Sequence, residues 1–511
     1  MRGGLMVCGT ASDVGKSHVV TGLCRLLARR GVKVAPFKAQ NMALNSFVTP
    51  SGHEIGRAQG VQALAAGVEP EVAMNPVLLK PTGERTSQVV VLGRPLAHLT
   101  AAEYHDHKPR LFATVLECLA DLRSRFDVVI AEGAGNPAEI NLLDHDIVNL
   151  RVADAAALPA LVVGDIDRGG VFASLYGTVE LLPVRLRARV KGFVVNKFRG
   201  DPALLGTGLA DLERRCRVPT LGVLPWVHDV ALDAEDSLAL SGRRPQAEGK
   251  AVVDGLDVAV VMLPRMANFT DLDALATEPG VGLRFVSDGA SLGDPDLVVL
   301  PGTKATVVDL EWLRGRGLDR ALDGARRRGT VVLGVCGGYQ MLGRRILDDV
   351  ESGRGQVEGL GWLDVETTFG PEKLTRQRRG RALGRRVTGY EIHHGITTRG
   401  DGAEAWAWLD DVYGDEGEGA GAIAGDRAGG GVVGTNLHGL FEEDGFRGAF
   451  LGQVAQRRGK EFVPAGVSFG AAREAQFDRL ADLLEAHLDF DAVCALIAQA
   501  EDAERAGDSR S

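Results

Sequence analysis

A cysteine flanked by small residues follows an apolar run in the stretch 330–342, TVVLGVCGGYQML. Residues 331–333 predict a buried strand, and the residues after Gly338 predict a helix. Glycines on both sides of Cys336 indicate a sharp turn between strand and helix, because a larger side chain would resist it. Such a turn lifts one side chain out of a sheet, so we predict that Cys336 is a nucleophile.

A cysteine nucleophile needs a neighbouring acid and base, and histidine is the expected residue. Two stretches, YEIHHG at 390–395 and VVGTNLHGLF at 432–441, each place histidine at a predicted strand end before a glycine. We favour His438 for its strand-end position. His393 and His394 remain alternatives from the residues alone.

A phosphate-binding loop is predicted near the start of the chain, at 9–17, GTASDVGKS. It lies between a short apolar run and a predicted helix, so backbone N–H groups at the helix start would face phosphates. Lys16 would neutralise phosphate charge, and Ser17 would bind Mg²⁺. The spacing departs from the usual pattern because Thr10 stands where the first glycine is expected. The ATP-binding residues predicted in this loop are Thr10, Gly15, Lys16 and Ser17.

Three other predicted strands end in polar residues that suit the same site, since ligands bind at the carboxyl ends of parallel strands. Lys38 would contact a transferred phosphoryl group or a substrate carboxylate, with a solvated surface lysine as the alternative. Glu132 is placed to organise Mg²⁺, with a solvated strand-end carboxylate as the alternative. Asn196 is predicted to read the nucleotide base.

Polar segments connect the predicted strands. Amide-rich patches at 39–46, 55–59 and 74–81 are predicted to lie outside regular elements and would suit a substrate with many amides and carboxylates. The basic run at 376–381, RQRRGR, contains no aromatic residues and lies in an acidic chain, which argues against a nucleic-acid site. It instead predicts a solvated loop or a lid over an anionic substrate. The PGTK turn at 301–304 would present backbone N–H groups to a substrate oxygen.

These residues need a scaffold that gathers the ends of strands. In the first half of the chain, strands alternate with helices, which predicts an α/β fold with a mostly parallel, doubly wound sheet. Strands resume in the second half, which is also predicted to be α/β. One of the predicted helices spans 305–328, directly before the cysteine. A polar stretch with Pro and Gly predicts a linker. The predicted division is a domain at 1–240, a linker at 241–252, a domain at 253–445, and a helical segment with a frayed tail at 446–511.

Length and composition limit the possible classes of protein. A chain of 511 residues is too long for one core, and a net charge of −10 argues against a nucleic-acid binder. The six cysteines form no CxxC pair, which argues against a zinc site or a disulfide framework. The apolar stretch at the N-terminus is too short to predict a signal peptide. The apolar runs elsewhere in the sequence are too short to predict a membrane span. We therefore expect a cytoplasmic protein.

The two halves together resemble a known enzyme family. The GxCxGxQ elbow and the NLHG string resemble class I glutamine amidotransferases, and the GT-x-x-x-VGK[ST] loop resembles the dethiobiotin synthetase branch of P-loop proteins. Between residues 4 and 445, many strings look like those of the cobyric acid synthase family. These strings are PFKAQNMALNS, IGRAQ, MNPVLLKP, AEGAGNPAEINL, DIVN, GDIDRGGVFAS, NKFRGD, LPGTK and GYEIHHG.

The resemblance implies roles for four residues of the second half. Cys336 would be the nucleophile, His438 its acid and base partner, and the N–H groups of Gly302 and Gly337 the oxyanion donors. Many class I amidotransferases carry a glutamate two residues after the histidine, but Leu440 stands there in this chain. The group that orients the histidine is therefore left open, with Glu442 and Glu443 as candidates.

The resemblance also implies the reaction. Members of the family use ATP, Mg²⁺ and glutamine to amidate the b, d, e and g carboxylates of adenosylcobyrinic acid a,c-diamide, a corrinoid, giving cobyric acid. Ammonia released by the second half would travel internally to the first, because bulk water would protonate it. One alternative is cobyrinic acid a,c-diamide synthase. The other is a partition-type P-loop ATPase with a non-catalytic amidotransferase-like domain. An oligomer is possible under any of these.

Overall fold

The computed structural model describes residues 1–83, 85–227, 255–411, 423–426 and 431–508. The predicted linker 241–252 lies outside the described residues. Within the described part, the chain divides into two compact units. The first unit holds residues 1–43, 54–227 and 473–508, and the second unit holds residues 44–53 and 255–472.

Up to residue 227, helices separate the strands of the main sheet, whereas the strands within 34–56 and within 77–100 follow one another directly. The strands are β1 (Gly3–Gly9), β2 (Val34–Phe37), β3 (Gln40–Met42), β4 (Ser46–Val48), β5 (Glu54–Gly56), β6 (Val77–Pro81), β7 (Thr86–Val91), β8 (Arg94–Thr100), β9 (Val128–Glu132), β10 (Ala160–Asp165), β11 (Val190–Phe198) and β12 (Thr220–Pro225). The helices are α1 (Lys16–Arg29), α2 (Arg57–Ala65), α3 (Ala101–Arg125), α4 (Leu150–Ala155), α5 (Val171–Glu180), α6 (Val184–Arg187) and α7 (Gly206–Cys216).

The main sheet of the first unit is parallel throughout, in the order β12-β11-β10-β1-β9-β2. Leu5 and Val7 of β1 enter one core, whereas Met6 and Cys8 enter the core on the opposite face. Both faces are therefore buried, which explains why β1 is a continuous apolar run without alternation. This is the doubly wound α/β sheet that the sequence predicts.

A second, smaller sheet of the first unit has the order β3-β6-β7-β8. The amide-rich patches were predicted to lie outside regular elements, and this prediction is wrong. They lie largely in β3, β6 and the start of α2. Their amides bond to one another and to the backbone. Asn41 Nδ2 donates to Gln59 Oε1 at 3.1 Å, and Asn75 Oδ1 accepts from Gly56 N at 2.9 Å. Such pairing lets these amides be buried inside the unit.

The strands and helices after residue 254 form the second unit and then return to the first. The strands are β13 (Leu256–Val261), β14 (Val281–Val286), β15 (Leu297–Leu300), β16 (Val331–Val335), β17 (Arg345–Asp348), β18 (Gly355–Glu358), β19 (Val365–Ala382), β20 (Arg385–Arg399), β21 (Ala403–Asp411), β22 (Ile423–Asp426) and β23 (Val432–Thr435). The helices are α8 (Asp273–Ala276), α9 (Thr306–Gly315), α10 (Leu318–Arg327), α11 (Gly337–Leu342), α12 (Asp444–Arg457), α13 (Phe469–His487) and α14 (Phe490–Asp508).

The second unit is built on a long mixed sheet in the order β14-β13-β15-β16-β23-β22-β21-β19-β17-β18, with β20 paired to β19. The stretch from β14 to β23 is parallel. Its central strand, β16, is buried along its whole length and leads directly to Cys336. A single helix over 305–328 is a wrong prediction, because Gly317 at φ 67° separates α9 from α10. Among the described helices, none is long and apolar enough to cross a membrane.

The basic run 376–381 lies inside strand β19, so the predicted loop or lid is wrong. Only Arg378 of the run is buried, and the neighbouring strand supplies a countercharge for it. Arg376 Nε donates to Glu391 Oε2 at 2.8 Å, and Arg378 Nε lies 3.5 Å from the same oxygen. Burial would raise the pKa of Glu391, but His393 and Arg376 lower it to about 2. The carboxylate is therefore ionised throughout the neutral range.

The last helices, from residue 473 onward, belong to the first unit. Phe490 and Ile497 of α14 enter the same core as Leu5 and Val7. The approach is close at Gly3, where a Cβ would lie only 1.9 Å from the carbonyl oxygen of Ile497. The helical C-terminal segment thus covers one face of the parallel sheet.

Candidate active site

Cys336 stands between β16 and α11 with backbone angles of φ 50° and ψ −110°. A left-handed φ strains any residue that has a Cβ, and such strain concentrates at functional turns. The sequence suggested that glycines would absorb this turn. The positive φ instead belongs to the cysteine itself.

The glycines of the elbow serve close packing. A Cβ at Gly334 would lie 2.6 Å from Leu342 Cδ1, and a Cβ at Gly338 would lie 2.0 Å from the carbonyl oxygen of Leu300. Real Cβ atoms do not approach backbone oxygen so closely, so α11 can seat itself against the sheet only with glycine at these positions. The glycines thereby hold Cys336 at the strand end.

His438 follows β23 and is fully buried. Its Nδ1 lies 2.6 Å from Asp271 Oδ2, and the other oxygen of that carboxylate accepts a hydrogen bond from Gly439 N at 2.7 Å. Asp271 belongs to a short 3-10 helix, Phe269–Leu272. The arrangement is that of a carboxylate that orients a catalytic imidazole through one ring nitrogen and leaves the other for the nucleophile.

The charge on His438 depends on its two neighbours. Burial lowers the pKa of His438, but the charge and hydrogen bond of Asp271, together with Cys336, raise it to about 10. The imidazole is therefore protonated at neutral pH. A protonated imidazole at this position can give its proton to a departing group, which is the role of a general acid.

Tyr390 of β20 lies against the same histidine. The two backbones exchange hydrogen bonds, Tyr390 N to His438 O at 3.0 Å and His438 N to Tyr390 O at 2.9 Å. The two rings stack with their centroids 5.3 Å apart. The histidine is thus held on one side by a carboxylate and on another by an aromatic ring.

The predicted oxyanion donors, Gly302 and Gly337, lie close to this group. A Cβ at Gly302 would be 2.9 Å from His438 Cε1, and a Cβ at Gly337 would be 3.1 Å from Thr303 N. The PGTK turn is anchored because Thr303 Oγ1 donates to Asp309 Oδ2 at 2.5 Å. The structure therefore brings the turn, the elbow and the histidine together.

The alternative histidines have other partners. His393 Nδ1 lies 2.6 Å from the carbonyl oxygen of Gly395. Burial, and after it the positive charge of Lys304, lower the pKa of His394 to about 4, so this imidazole is neutral at neutral pH. The backbone of the same strand, β20, approaches the cysteine: the carbonyl oxygen of Ile392 lies 4.0 Å from Cys336 Sγ.

Asp271 is the residue that the sequence analysis missed. Of the two glutamates considered, Glu443 accepts a hydrogen bond from Thr388 Oγ1 at 2.6 Å. Asp271 precedes His438 by 167 positions in the chain, within the string NFTDLDAL. No spacing rule connects an aspartate in such a string to a distant histidine, so only the fold reveals the pair.

The phosphate-binding loop of the first unit has the expected form. Helix α1 begins at Lys16, and Gly15 before it has φ 99°, which suits glycine. Lys16 Nζ donates to the carbonyl oxygen of Ala11 at 2.9 Å, so its ammonium group lies against the loop. The first backbone N–H groups of α1 and this ammonium make the loop attractive to an anion.

Glu132 joins the loop to the neighbouring strands. Its Oε1 lies 3.0 Å from both Ser17 Oγ and Lys38 Nζ. Its Oε2 accepts from Gln62 Nε2 at 2.6 Å. Burial raises the pKa of Glu132, but Lys38 and the hydrogen bonds lower it overall. Glu132 and Lys38 are both buried, so the structure excludes a solvated position for either.

Thr10 and Asn196 connect the loop to neighbouring strands of the sheet through hydrogen bonds. Thr10 N donates to the carbonyl oxygen of Val163 at 2.9 Å, so this N–H is engaged in the sheet rather than directed at a phosphate. Asn196 Nδ2 donates to the carbonyl oxygen of Val14 at 2.8 Å. A Cβ at Gly15 would lie 2.1 Å from the same nitrogen.

Comparison with known proteins matches both units to families. Residues 5–239 match a CobQ/CobB/MinD/ParA nucleotide binding domain, and residues 257–446 match a CobB/CobQ-like glutamine amidotransferase domain. The doubly wound α/β architecture with a glutamine amidotransferase domain is thereby confirmed.

Whole-chain relatives are more specific. The cobyric acid synthase of Frankia casuarinae is 53% identical over 98% of this chain and 97% of its own length. That of Streptomyces avermitilis is 55% identical over 97% of each chain, and that of Rhodococcus jostii is 53% identical over 96% of this chain and 95% of its own. These matches favour the main interpretation over a diamide synthase or a partition ATPase. The chain belongs to the cobyric acid synthase family.

Proposed function

We propose that this enzyme amidates the b, d, e and g carboxylates of adenosylcobyrinic acid a,c-diamide with nitrogen from glutamine and energy from ATP, giving cobyric acid. The observation that carries the proposal is identity above one half to cobyric acid synthases over nearly the whole chain. The two sites supply the chemistry that such a reaction needs. One releases ammonia, and the other activates a carboxylate.

Glutamine hydrolysis would begin at Cys336. The thiolate attacks the side-chain amide of glutamine, and the oxyanion that forms would be stabilised by the N–H groups of Gly302 and Gly337. Protonated His438 then gives its proton to the departing nitrogen, so that ammonia leaves and a thioester remains. Asp271 holds the imidazole in place during this transfer.

Carboxylate activation would take place at the loop of the first unit. A carboxylate cannot lose hydroxide to ammonia, so ATP first converts it to an acyl phosphate that ammonia can attack. Lys16 would stabilise the charge on the phosphates, and Lys38 would lie beside the transferred group. Internal transfer of ammonia is part of the proposal, because water would convert it to unreactive ammonium.

Magnesium fits the first site. Ser17 Oγ and the ionised carboxylate of Glu132, 3.0 Å apart, are hard oxygen donors of the kind that Mg²⁺ binds. Phosphate oxygens and water would complete its shell, since the described residues contain no cluster of three or more His, Cys, Asp and Glu that suits a metal. When bound, Mg²⁺ would neutralise phosphate charge. The cytoplasmic location, the lack of nucleic-acid binding and the possible oligomer stay predictions.

The direct test is mass spectrometry of corrinoid products formed with ATP and glutamine. The proposal expects four successive exchanges of hydroxyl for amino on the a,c-diamide. Two exchanges on the free acid, and none on the diamide, would instead establish the diamide synthase.

Replacement of Asp271 tests the third member of the glutaminase site. We expect Asp271→Asn to lower glutaminase kcat by roughly 10²-fold or more. The neutral amide lacks the negative charge that orients the imidazole and keeps it protonated. Burial lowers the pKa of His438, but Asp271 and Cys336 together raise it to about 10, so loss of the Asp271 charge should move the basic limb of the pH profile to lower pH.

The matched control is Glu443→Gln, which alters a carboxylate near in sequence to His438 that bonds to Thr388. Its glutaminase rate and pH profile should equal those of the wild type. An unchanged profile in Asp271→Asn would exclude the assigned role.

A further inference from the structure

Residues 44–53 have an unexpected position in the molecule. They fall within the 5–239 match to the nucleotide binding domain, yet they belong to the second unit. Asn45 of this segment follows Lys38 by only seven positions (45 − 38), and Lys38 contacts Glu132 of the first unit. Sequence that belongs to one domain family thus contributes to the fold of the other.

The segment holds the turn that carries Asp271. Ser46 N donates to Asn268 Oδ1 at 2.8 Å, and Phe269 N donates to Asn45 Oδ1 at 3.3 Å. Asn268 caps the 3-10 helix in a left-handed conformation, φ 54°, which asparagine adopts more readily than most residues. Asn45 and Ser46 are completely buried. Water therefore does not compete for these two hydrogen bonds.

The segment also reaches the aromatic side of the histidine. Tyr390 OH donates to the carbonyl oxygen of Ser46 at 3.3 Å, and Val48 packs with Tyr390 in a small buried cluster. Gln377 Nε2 donates to the carbonyl oxygen of Val48 at 2.9 Å. Both supports of His438, the Asp271 turn and the Tyr390 ring, thus contact the same segment.

The orientation of Asn268 follows from these contacts. A backbone N–H can only donate, so Ser46 N selects the oxygen of the Asn268 amide. The Nδ2 group must then face the other way, and it lies 3.5 Å from His438 Nε2. The segment thereby decides which amide atom faces the ring nitrogen that serves Cys336.

We infer that segment 44–53 is part of the glutaminase site, where it positions His438 by holding Asn268 and the turn that carries Asp271. The inference rests on the proposed function, since it assigns a role in glutamine hydrolysis. Asn268 and Ser46 are positioning residues, because they act through His438. Glutamine hydrolysis then depends on residues encoded within the nucleotide-binding sequence.

The test uses the full chain and separates the backbone donor from the side chain of Ser46. Ser46→Pro removes the N–H, and Ser46→Ala keeps it. We expect Ser46→Pro to lower glutaminase kcat by roughly 10²-fold, the usual result of displacing a catalytic group by about 1 Å. The KM for glutamine and the ammonia-dependent amidation rate should be unchanged. Ser46→Ala keeps the N–H donor, so its glutaminase kcat should stay well above that of Ser46→Pro.

A second variant covers the possibility that proline prevents folding. Asn268→Gly removes the same link without strain, because glycine tolerates a φ of 54°. It should reproduce the loss of kcat with an unchanged thermal unfolding temperature. Wild-type kcat in folded Asn268→Gly would overturn the inference, and so would an equal loss of ammonia-dependent amidation. Cys336→Ala, assayed beside these variants, tests the proposed function separately, because retained glutamine hydrolysis there would refute the nucleophile itself.

Discussion

Cys336→Ala is expected to abolish glutamine-dependent amidation and to leave ammonia-dependent amidation at the wild-type rate. Where a nucleophile, a histidine and a carboxylate act together, removing the nucleophile lowers the rate roughly 10⁴-fold or more. The phosphate loop belongs to the first unit, so none of its residues is part of the elbow. Product mass spectrometry with either glutamine or an ammonium salt as the nitrogen donor measures both activities.

Cys118→Ala is the matched control, because it removes a half-buried thiol from helix α3 of the first unit. It should retain both activities. If a folded Cys336→Ala protein lost both, the scheme of two separate sites would be wrong. If it kept glutamine-dependent amidation, another group would have to be the nucleophile.

Lys16→Ala is expected to remove amidation with either nitrogen donor while glutamine hydrolysis continues at its basal rate. Loss of one charged group at a phosphoryl-transfer site costs roughly 10²–10³-fold. Lys16 Nζ lies against the loop, at the start of α1, where the phosphates of ATP would be held. Glutamate release without ATP and amidation with ammonium measure the two sites independently.

Lys191→Ala provides the control, since it removes an exposed lysine from β11 of the same unit. Its amidation rate should be unchanged. Normal amidation by Lys16→Ala would exclude the proposed role of the phosphate loop. Together with Cys336→Ala, this variant assigns nitrogen release and carboxylate activation to different residues.

The sequence was informative wherever chemistry depends on neighbours in the chain. The phosphate loop and the cysteine elbow are local patterns of strand, turn and helix, so their residue types and spacing indicated their geometry. The parallel α/β architecture followed from alternating strands and helices, because buried parallel strands are continuous apolar runs. Errors arose where tertiary contacts changed local preference. The basic run at 376–381 lies in a strand, where Glu391 of the neighbouring strand pairs with Arg376 and Arg378.

By itself, the sequence located the cysteine turn after β16 and the glycine-containing loop before α1. Only the tertiary structure decided what orients His438. Asp271 lies 2.6 Å from that histidine but 167 positions away in the chain. Segment 44–53 likewise joins the second unit through hydrogen bonds between residues more than 200 positions apart. Contacts of such range leave no periodic signal in the sequence, because they are created by the fold and not by neighbouring residues.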